Sequence, residues 1–215
     1  MTTYRTPEAI LFDLDGTLID TMEGFADLAA QLMEREHGLP FSEGRRNYIT
    51  TSGIPFKHQL ELMFPGHPKN FEVQKEFESR KQDVFFNTAP DKDTLLALNG
   101  LRALGIKVIV SSNNYHDFVL KYFGKYNQFS FDMILGYKDG FAKGKDHLEH
   151  VLRELETTEE KILFVGDSLH DGEVAEEFGI PFIGRIAIRT KREFLSRFPN
   201  IVCVDRLTQI VDLFS

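Results

Sequence analysis

Six short apolar runs, most of them ending in a carboxylate, a glycine or a serine, constrain this chain more than any other feature. They are AILFD from residue 9, KVIVSS (107–112), FDMILG (131–136), KILFVGD (161–167), PFIG (181–184) and IVCVD (201–205). Runs of this length, continuous rather than alternating, are the signature of strands buried on both faces, as in a parallel sheet. Helical stretches separate them over 92–104, 114–123, 145–156, 171–178, 190–198 and 206–214. Strand and helix therefore alternate from residue 90 to the end, which predicts an α/β fold: a parallel sheet flanked by crossover helices.

One stretch breaks this alternation. Between Asp20 and Pro90 there is no buried strand, while Phe25, Leu28, Ala29, Leu32 and Met33 recur at helical spacing, as do Phe71, Phe77 and Phe85. A connection this long far exceeds an ordinary crossover. It predicts an inserted helical domain over 20–88 and a core domain assembled from 1–19 and 89–215. Apolar residues make up 42% of the 215, enough for a sizeable core, and the phenylalanines at helical spacing are expected inside it.

The strand ends carry the chemistry. In open parallel sheets, ligands bind beyond the carboxyl ends of the strands. The first strand runs into Asp13-Leu14-Asp15-Gly16-Thr17 and the second into Ser111-Ser112-Asn113. Lys143 and Lys145 follow the third, and the fourth ends in Gly166-Asp167-Ser168, with Asp171 four residues beyond Asp167. Four carboxylates converging on one cleft repel each other and take up protons unless a cation sits among them. Oxygen-only ligands favour a hard cation, and Mg2+, with its affinity for phosphate oxygens, fits best.

FDLDGTLIDT, VIVSSN, the lysine near 143 and VGDSLHD, in that order, make the chain resemble the haloacid dehalogenase superfamily of phosphohydrolases. The resemblance implies a Rossmann-like core with a helical cap between the first and second motifs, as in its phosphoglycolate phosphatase and β-phosphoglucomutase branch. It implies Asp13 as nucleophile, Asp15 as acid–base group and Lys143 as the charge-neutralising lysine. Mg2+ would be held by Asp13, Asp15 (through its carbonyl), Asp167 and Asp171. Ser112 and Asn113, with Thr17 beside them, would bind the phosphoryl group. Ser111 is the alternative to Ser112, and Lys145 to Lys143, because Gly144 stands where the family usually has proline. In the predicted cap, Arg46 and Lys57 are candidate substrate-binding cations within a stretch that also holds Arg45, Thr50, Thr51 and His58.

The expected activity is Mg2+-dependent hydrolysis of a small phosphorylated metabolite through an aspartyl-phosphate. The alternatives are a phosphomutase of the β-phosphoglucomutase type and a non-catalytic phospho-ligand module. A net charge of −8 with no basic stripe argues against a nucleic-acid partner. Residues 1–8 are polar and the AILF run is too short for a signal core or a membrane span, so a cytoplasmic location is expected. The single Cys203 is expected to be a buried small hydrophobe without a disulfide. His147 and His150 are expected on an exposed helix face rather than at a metal, and His170 beside the cleft without a catalytic role.

Overall fold

The computed structural model describes residues 5–215; the polar start of the chain over 1–4 lies outside the described residues. The chain divides into two compact units, 1–19 with 89–215, and Asp20–Thr88.

The first unit is a six-stranded sheet: β1 (Ala9–Phe12), β2 (Lys107–Tyr115), β3 (Met133–Tyr137), β4 (Ile162–Gly166), β5 (Phe182–Arg185) and β6 (Val202–Val204). Every pairing is parallel and the order is β3-β2-β1-β4-β5-β6. β1 is hydrogen-bonded on both sides, Ala9–Phe12 lying against Lys107–Val110 and against Ile162–Val165. None of its four residues exceeds 1% exposure, which is why its sequence is an unbroken apolar run. Chain order reverses at β1, with β2 and β3 laid down to one side and β4 to β6 to the other. A crevice forms at such a reversal, outside the carboxyl ends of the strands.

Helices α5 (Lys92–Ala103), α6 (His116–Lys125), α7 (Lys145–Leu155), α8 (Leu169–Glu177), α9 (Lys191–Arg197) and α10 (Thr208–Asp212) belong to this unit, α5 to α9 each joining one strand to the next. Leu11, Ile109, Phe164, Phe182 and Phe194 share one core cluster. Asp91 caps α5, its carboxylate accepting the Thr94 N–H at 2.7 Å, and the buried Thr94 hydroxyl donates to the Leu18 carbonyl at 3.0 Å. Asp93 accepts from the Leu207 and Thr208 amides at 2.6 and 3.4 Å and from the Thr208 hydroxyl at 2.6 Å, pinning the start of α10 to α5. Two boundaries differ from expectation: α10 is short, and β2 runs on through Asn113 and Asn114, where a helix start was expected. Cys203 is only half-buried, at the edge strand β6.

The second unit is helical: α1 (Met22–His37), α2 (Phe41–Thr50), α3 (Phe56–Met63) and α4 (Asn70–Asn87). Phe25, Tyr48, Phe56 and Phe77 form its aromatic centre, with ring centroids 4.2 to 6.4 Å apart. Gly44 lets α2 approach α1 closely, since a Cβ there would stand 3.2 Å from the Ala30 Cα. Phe71 is an exception to the expectation that the phenylalanines are core: it is 71% exposed. Among the described residues, no helix is long and apolar enough to cross a membrane.

Because Leu11 is 1% exposed at the centre of the sheet, Leu11→Ala is expected to cost about 2–5 kcal/mol in urea unfolding. Leu96→Ala, at a helix position 53% exposed, is expected to stay within about 0.5 kcal/mol of wild type.

Candidate active site

The site is built at the carboxyl ends of β1 and β4. Asp13 is the first residue past β1, and its N–H donates to the Val165 carbonyl at 2.9 Å, so its backbone still belongs to the ladder. The chain then turns tightly: the Leu14 carbonyl accepts from Thr17, Leu18 and Ile19 at 3.3, 3.0 and 3.1 Å. Gly16 takes a φ of 82°, a conformation that side chains resist, and buried Leu14, Leu18 and Ile19 anchor the turn. Asp15 is thereby left at its rim, half-buried.

At the end of β4, Ser168 caps α8 in a reciprocal box. Its Oγ accepts the Asp171 N–H at 3.1 Å, while Asp171 Oδ2 accepts the Ser168 N–H and hydroxyl at 3.2 and 2.7 Å. Gly166 makes room for this: a Cβ there would lie 2.6 Å from the Asp171 Cβ. GDSLHD thus serves two ends, capping the helix and swinging the Asp171 carboxylate back over β4.

Lys143 reaches between the two strands. Its Nζ lies 2.6 Å from Asp13 Oδ1 and 2.6 Å from Asp171 Oδ1. The loop after β3 holds it there through paired Lys138–Phe141 backbone bonds at 2.9 and 3.0 Å, and through the Asp146 carboxylate, which accepts the Ala142 N–H at 2.8 Å. Gly144 adopts φ 107°, which only glycine takes up easily. Lys145 points elsewhere; its side chain is 68% exposed beside Glu149.

Asp13, Asp167 and Asp171 are all buried, and each offers an oxygen within 4.8 Å of the others. One ammonium faces three carboxylates. Burial pushes the Asp13 carboxyl up to about 7, opposed by Lys143 and reinforced by Asp171. Asp167 is driven well above the carboxylate range, by burial first and then by Asp13 and Asp171. Asp167 Oδ2 and Thr17 Oγ1 are buried without a hydrogen-bond partner. Crowded oxygen donors, an excess of negative charge and an unpartnered carboxylate oxygen together fit a divalent cation.

The two serines of β2 face different partners. Ser112 Oγ accepts the Asn114 N–H at 3.0 Å, whereas Ser111 Oγ lies 2.9 Å from His147 Nδ1. Asn113 is exposed. Asn114, which the sequence reading passed over, donates from Nδ2 to Asp15 Oδ2 at 2.6 Å. His147 corrects an expectation: it is fully buried, with its ring 4.6 Å from that of Phe141. It stands four residues before the buried Val151, on the inward stripe of α7, which is the signal that could have placed it inside. Burial, and then the Lys143 charge, push its pKa down to about 4, so the ring is neutral. His150 is half-buried, and His170 is exposed beside Glu173.

Arg46 and Lys57 are exposed on α2 and α3 of the helical unit. Their neighbours are less available than expected. Arg45 is paired with Glu23 and with Asp27, the latter at 2.9 Å, tying α2 to α1. The Thr50 hydroxyl donates to the Arg46 carbonyl at 2.8 Å, and that of Thr51 to the Asn47 carbonyl at 2.7 Å.

A family model described as haloacid dehalogenase-like hydrolase matches residues 10–185. A protein of Aquifex aeolicus named phosphoglycolate phosphatase is 31% identical over 176 residues, covering 79% of this chain and 80% of that protein. A Mycobacterium tuberculosis protein named tyrosine-protein kinase PtkA is 27% identical over 188 residues, covering 82% of this chain but only 61% of its own length. A crystal structure from Bacteroides fragilis, described as a haloacid dehalogenase-like hydrolase, superposes with TM-score 0.77 at 25% identity, covering 95% of this chain and 99% of that one. A haloacid dehalogenase-like family protein of Streptococcus pneumoniae shares the fold, with TM-score 0.79 at 18% identity, covering 98% and 99%.

Two measurements probe this electrostatic frame. With Asp13 titrating near 7, the metal-free folded state binds more protons than the unfolded chain between the ordinary carboxylate range and 7, so Asp13 lowers stability as pH rises through that window. Mg2+ is therefore expected to stabilise more at pH 8 than at pH 5, its total contribution at pH 8 being about 3 kcal/mol at roughly 100-fold excess over Kd, read as a rise in Tm. Asp167→Asn is expected to remove most of that increment. His147 has the opposite sign: its neutral ring makes the folded state lose stability as pH falls from 6.5 towards 4. His147→Gln is expected to flatten that slope by up to about 3 kcal/mol relative to wild type, read from urea midpoints across pH.

Proposed function

The chain belongs to the haloacid dehalogenase-like hydrolase family, and from that footing we propose that it is a Mg2+-dependent phosphatase of small phosphomonoesters, working through a phosphoryl group carried on Asp13. The contact that supports this most is Lys143 Nζ at 2.6 Å from both Asp13 and Asp171. It places a fixed cation beside the carboxylate that must attack an anion.

Asp13 Oδ attacks phosphorus, and the P–O bond to the leaving alkoxide breaks. Asp15, protonated at this stage, gives its proton to that alkoxide. In the second half it takes a proton from the attacking water, and inorganic phosphate leaves Asp13. Ser112, Asn113 and Thr17 donate hydrogen bonds to the transferring group, and Lys143 balances its charge. The side chains of Asp13 and Asp167, the Asp15 carbonyl, and Asp171 directly or through waters would hold the cation. When bound, it neutralises carboxylate and phosphate charge alike. The helical unit over 20–88 serves as the substrate-selecting cap, with exposed Arg46 and Lys57 as its candidate anion contacts. The name carried by the Aquifex relative makes phosphoglycolate the first substrate to test.

A second reading, delivery of the phosphoryl group to an acceptor other than water, is favoured by the likeness to the mycobacterial protein named a tyrosine kinase. The partition between released phosphate and phosphorylated acceptor separates the two.

Assayed with Mg2+ against a panel of phosphorylated metabolites, the wild type is expected to release phosphate and to carry an acid-labile phosphoryl group when quenched during turnover. Asp13→Asn is expected to lose both. Asp15→Asn is expected to lower kcat by about 10²–10⁴-fold. A wild type that turns over none of the panel and never becomes labelled would sink the proposal.

A further inference from the structure

We propose that Asn114 is a positioning residue that holds the Asp15 carboxyl in the orientation needed to trade protons with the leaving group and the attacking water; this rests on the aspartyl-phosphate reading above. Asn114 Nδ2 donates to Asp15 Oδ2 at 2.6 Å, across 99 residues of chain. The contact is built, because the backbone beneath it is shaped to deliver it. Opposite β3, Ser111 pairs with Leu135 and Tyr115 with Tyr137, so β2 spends four steps where β3 spends two. The two extra residues break the ladder between these pairings as a bulge. Inside the bulge, the Asn114 N–H is held by Ser112 Oγ at 3.0 Å.

Gly136 makes the bulge possible. A Cβ at that position would lie 2.6 Å from the His116 Cα and 2.9 Å from the Asn114 carbonyl oxygen. Only a residue without a side chain lets β3 pass under the 114–116 backbone. Three features of this unit thus converge on one hydrogen bond to one carboxylate oxygen.

The chemistry suits an amide. Asp15 has to be an acid in one half of the reaction and a base in the other, so its holder must tolerate both states. An amide N–H donates to a carboxyl oxygen in either state and brings no titrating proton of its own. A lysine or arginine there would favour the carboxylate and weaken the acid. A hydrogen-bonded orienting partner of this kind acts through the group it holds rather than on substrate, and misplacement of a reacting group by about 1 Å can cost on the order of 10²-fold.

The test exploits leaving-group dependence. Cleavage of a phosphate ester of an aliphatic alcohol needs a proton on the departing oxygen, whereas acetyl phosphate and p-nitrophenyl phosphate expel stable anions and need it far less. Wild type, Asn114→Ala and the near-isosteric Asn114→Leu are compared by kcat/KM, which reports the steps up to and including loss of the leaving group, with melting curves to establish that each variant is folded. The expected result is a loss of about 10–100-fold on an alkyl phosphate such as phosphoglycolate, with less than about threefold loss on acetyl phosphate. Equal losses on both substrates would mark the contact as a plain structural staple, and no loss on either would mark it as incidental; both overturn the inference while leaving the phosphatase reading standing. A wild type inert towards both esters overturns the phosphatase reading and takes this inference with it.

Discussion

Everything at this site follows from burying three carboxylates around a single ammonium. Removing a charge from water costs several kcal/mol even after the protein relaxes, and a pair recovers that only with good geometry. Lys143 satisfies Asp13 and one oxygen of Asp171, and the capping box satisfies the other. Asp167 has no such relief on its Oδ2. The cluster is therefore under-neutralised by construction, and it can reach balance only by taking up protons or a cation. A dication bound there would reverse the local sign, which suits the anionic substrate proposed above.

The backbone that holds this arrangement is stiff where the chemistry needs it. Asp13 is fixed by the sheet itself through its amide bond to Val165. Asp171 is fixed by a helix cap, and Lys143 by a loop with its own internal bonds. Glycines mark the places where a side chain would spoil the fit: Gly16 and Gly144 through their backbone angles, Gly166 through the space that Asp171 occupies. The stretches after β1 and β4 arrive at one point because these are adjacent parallel strands whose carboxyl ends face the same way, and the loop after β3 brings Lys143 to the same end of the sheet.

How much of this was legible in the sequence depended on whether the signal was local. The six strands were readable because a strand covered on both faces leaves an uninterrupted apolar run. Their order was not, since no run states its neighbour. Asp13, Asp167, Asp171 and Lys143 were readable as a group because polar residues at buried strand ends are conspicuous, and the structure brings those four together. Lys143 was preferred to Lys145 on the resemblance alone, since two lysines one residue apart at a helix start look alike in sequence; the structure turns Lys143 inward and leaves Lys145, at the start of α7, exposed. Asn114 escaped notice because SSNNY has no apolar alternation and asparagine suits turns; the bulge that presents it depends on Gly136, more than twenty residues away in the chain. His147 was misplaced because KDHLEH looks charged, although its spacing from Val151 puts it on the inner face. Arg45 looked like a surface cation because its partners, Glu23 and Asp27, lie on another helix.

The central position of β1 has a consequence for biosynthesis. AILF leaves the ribosome well before its partners, which begin at Lys107 on one side and Ile162 on the other. The helical stretch that emerges next is contiguous and can fold by local contacts, whereas the first strand has both edges bare until β2 emerges and one edge bare until β4 does. A nascent polypeptide of this topology carries a buried-strand segment with an unpaired edge until the residues of β4 have emerged. Occupancy by chaperones, codon pace after residue 107 and tolerance of amino-terminal fusions would all bear on how much of it reaches the native state.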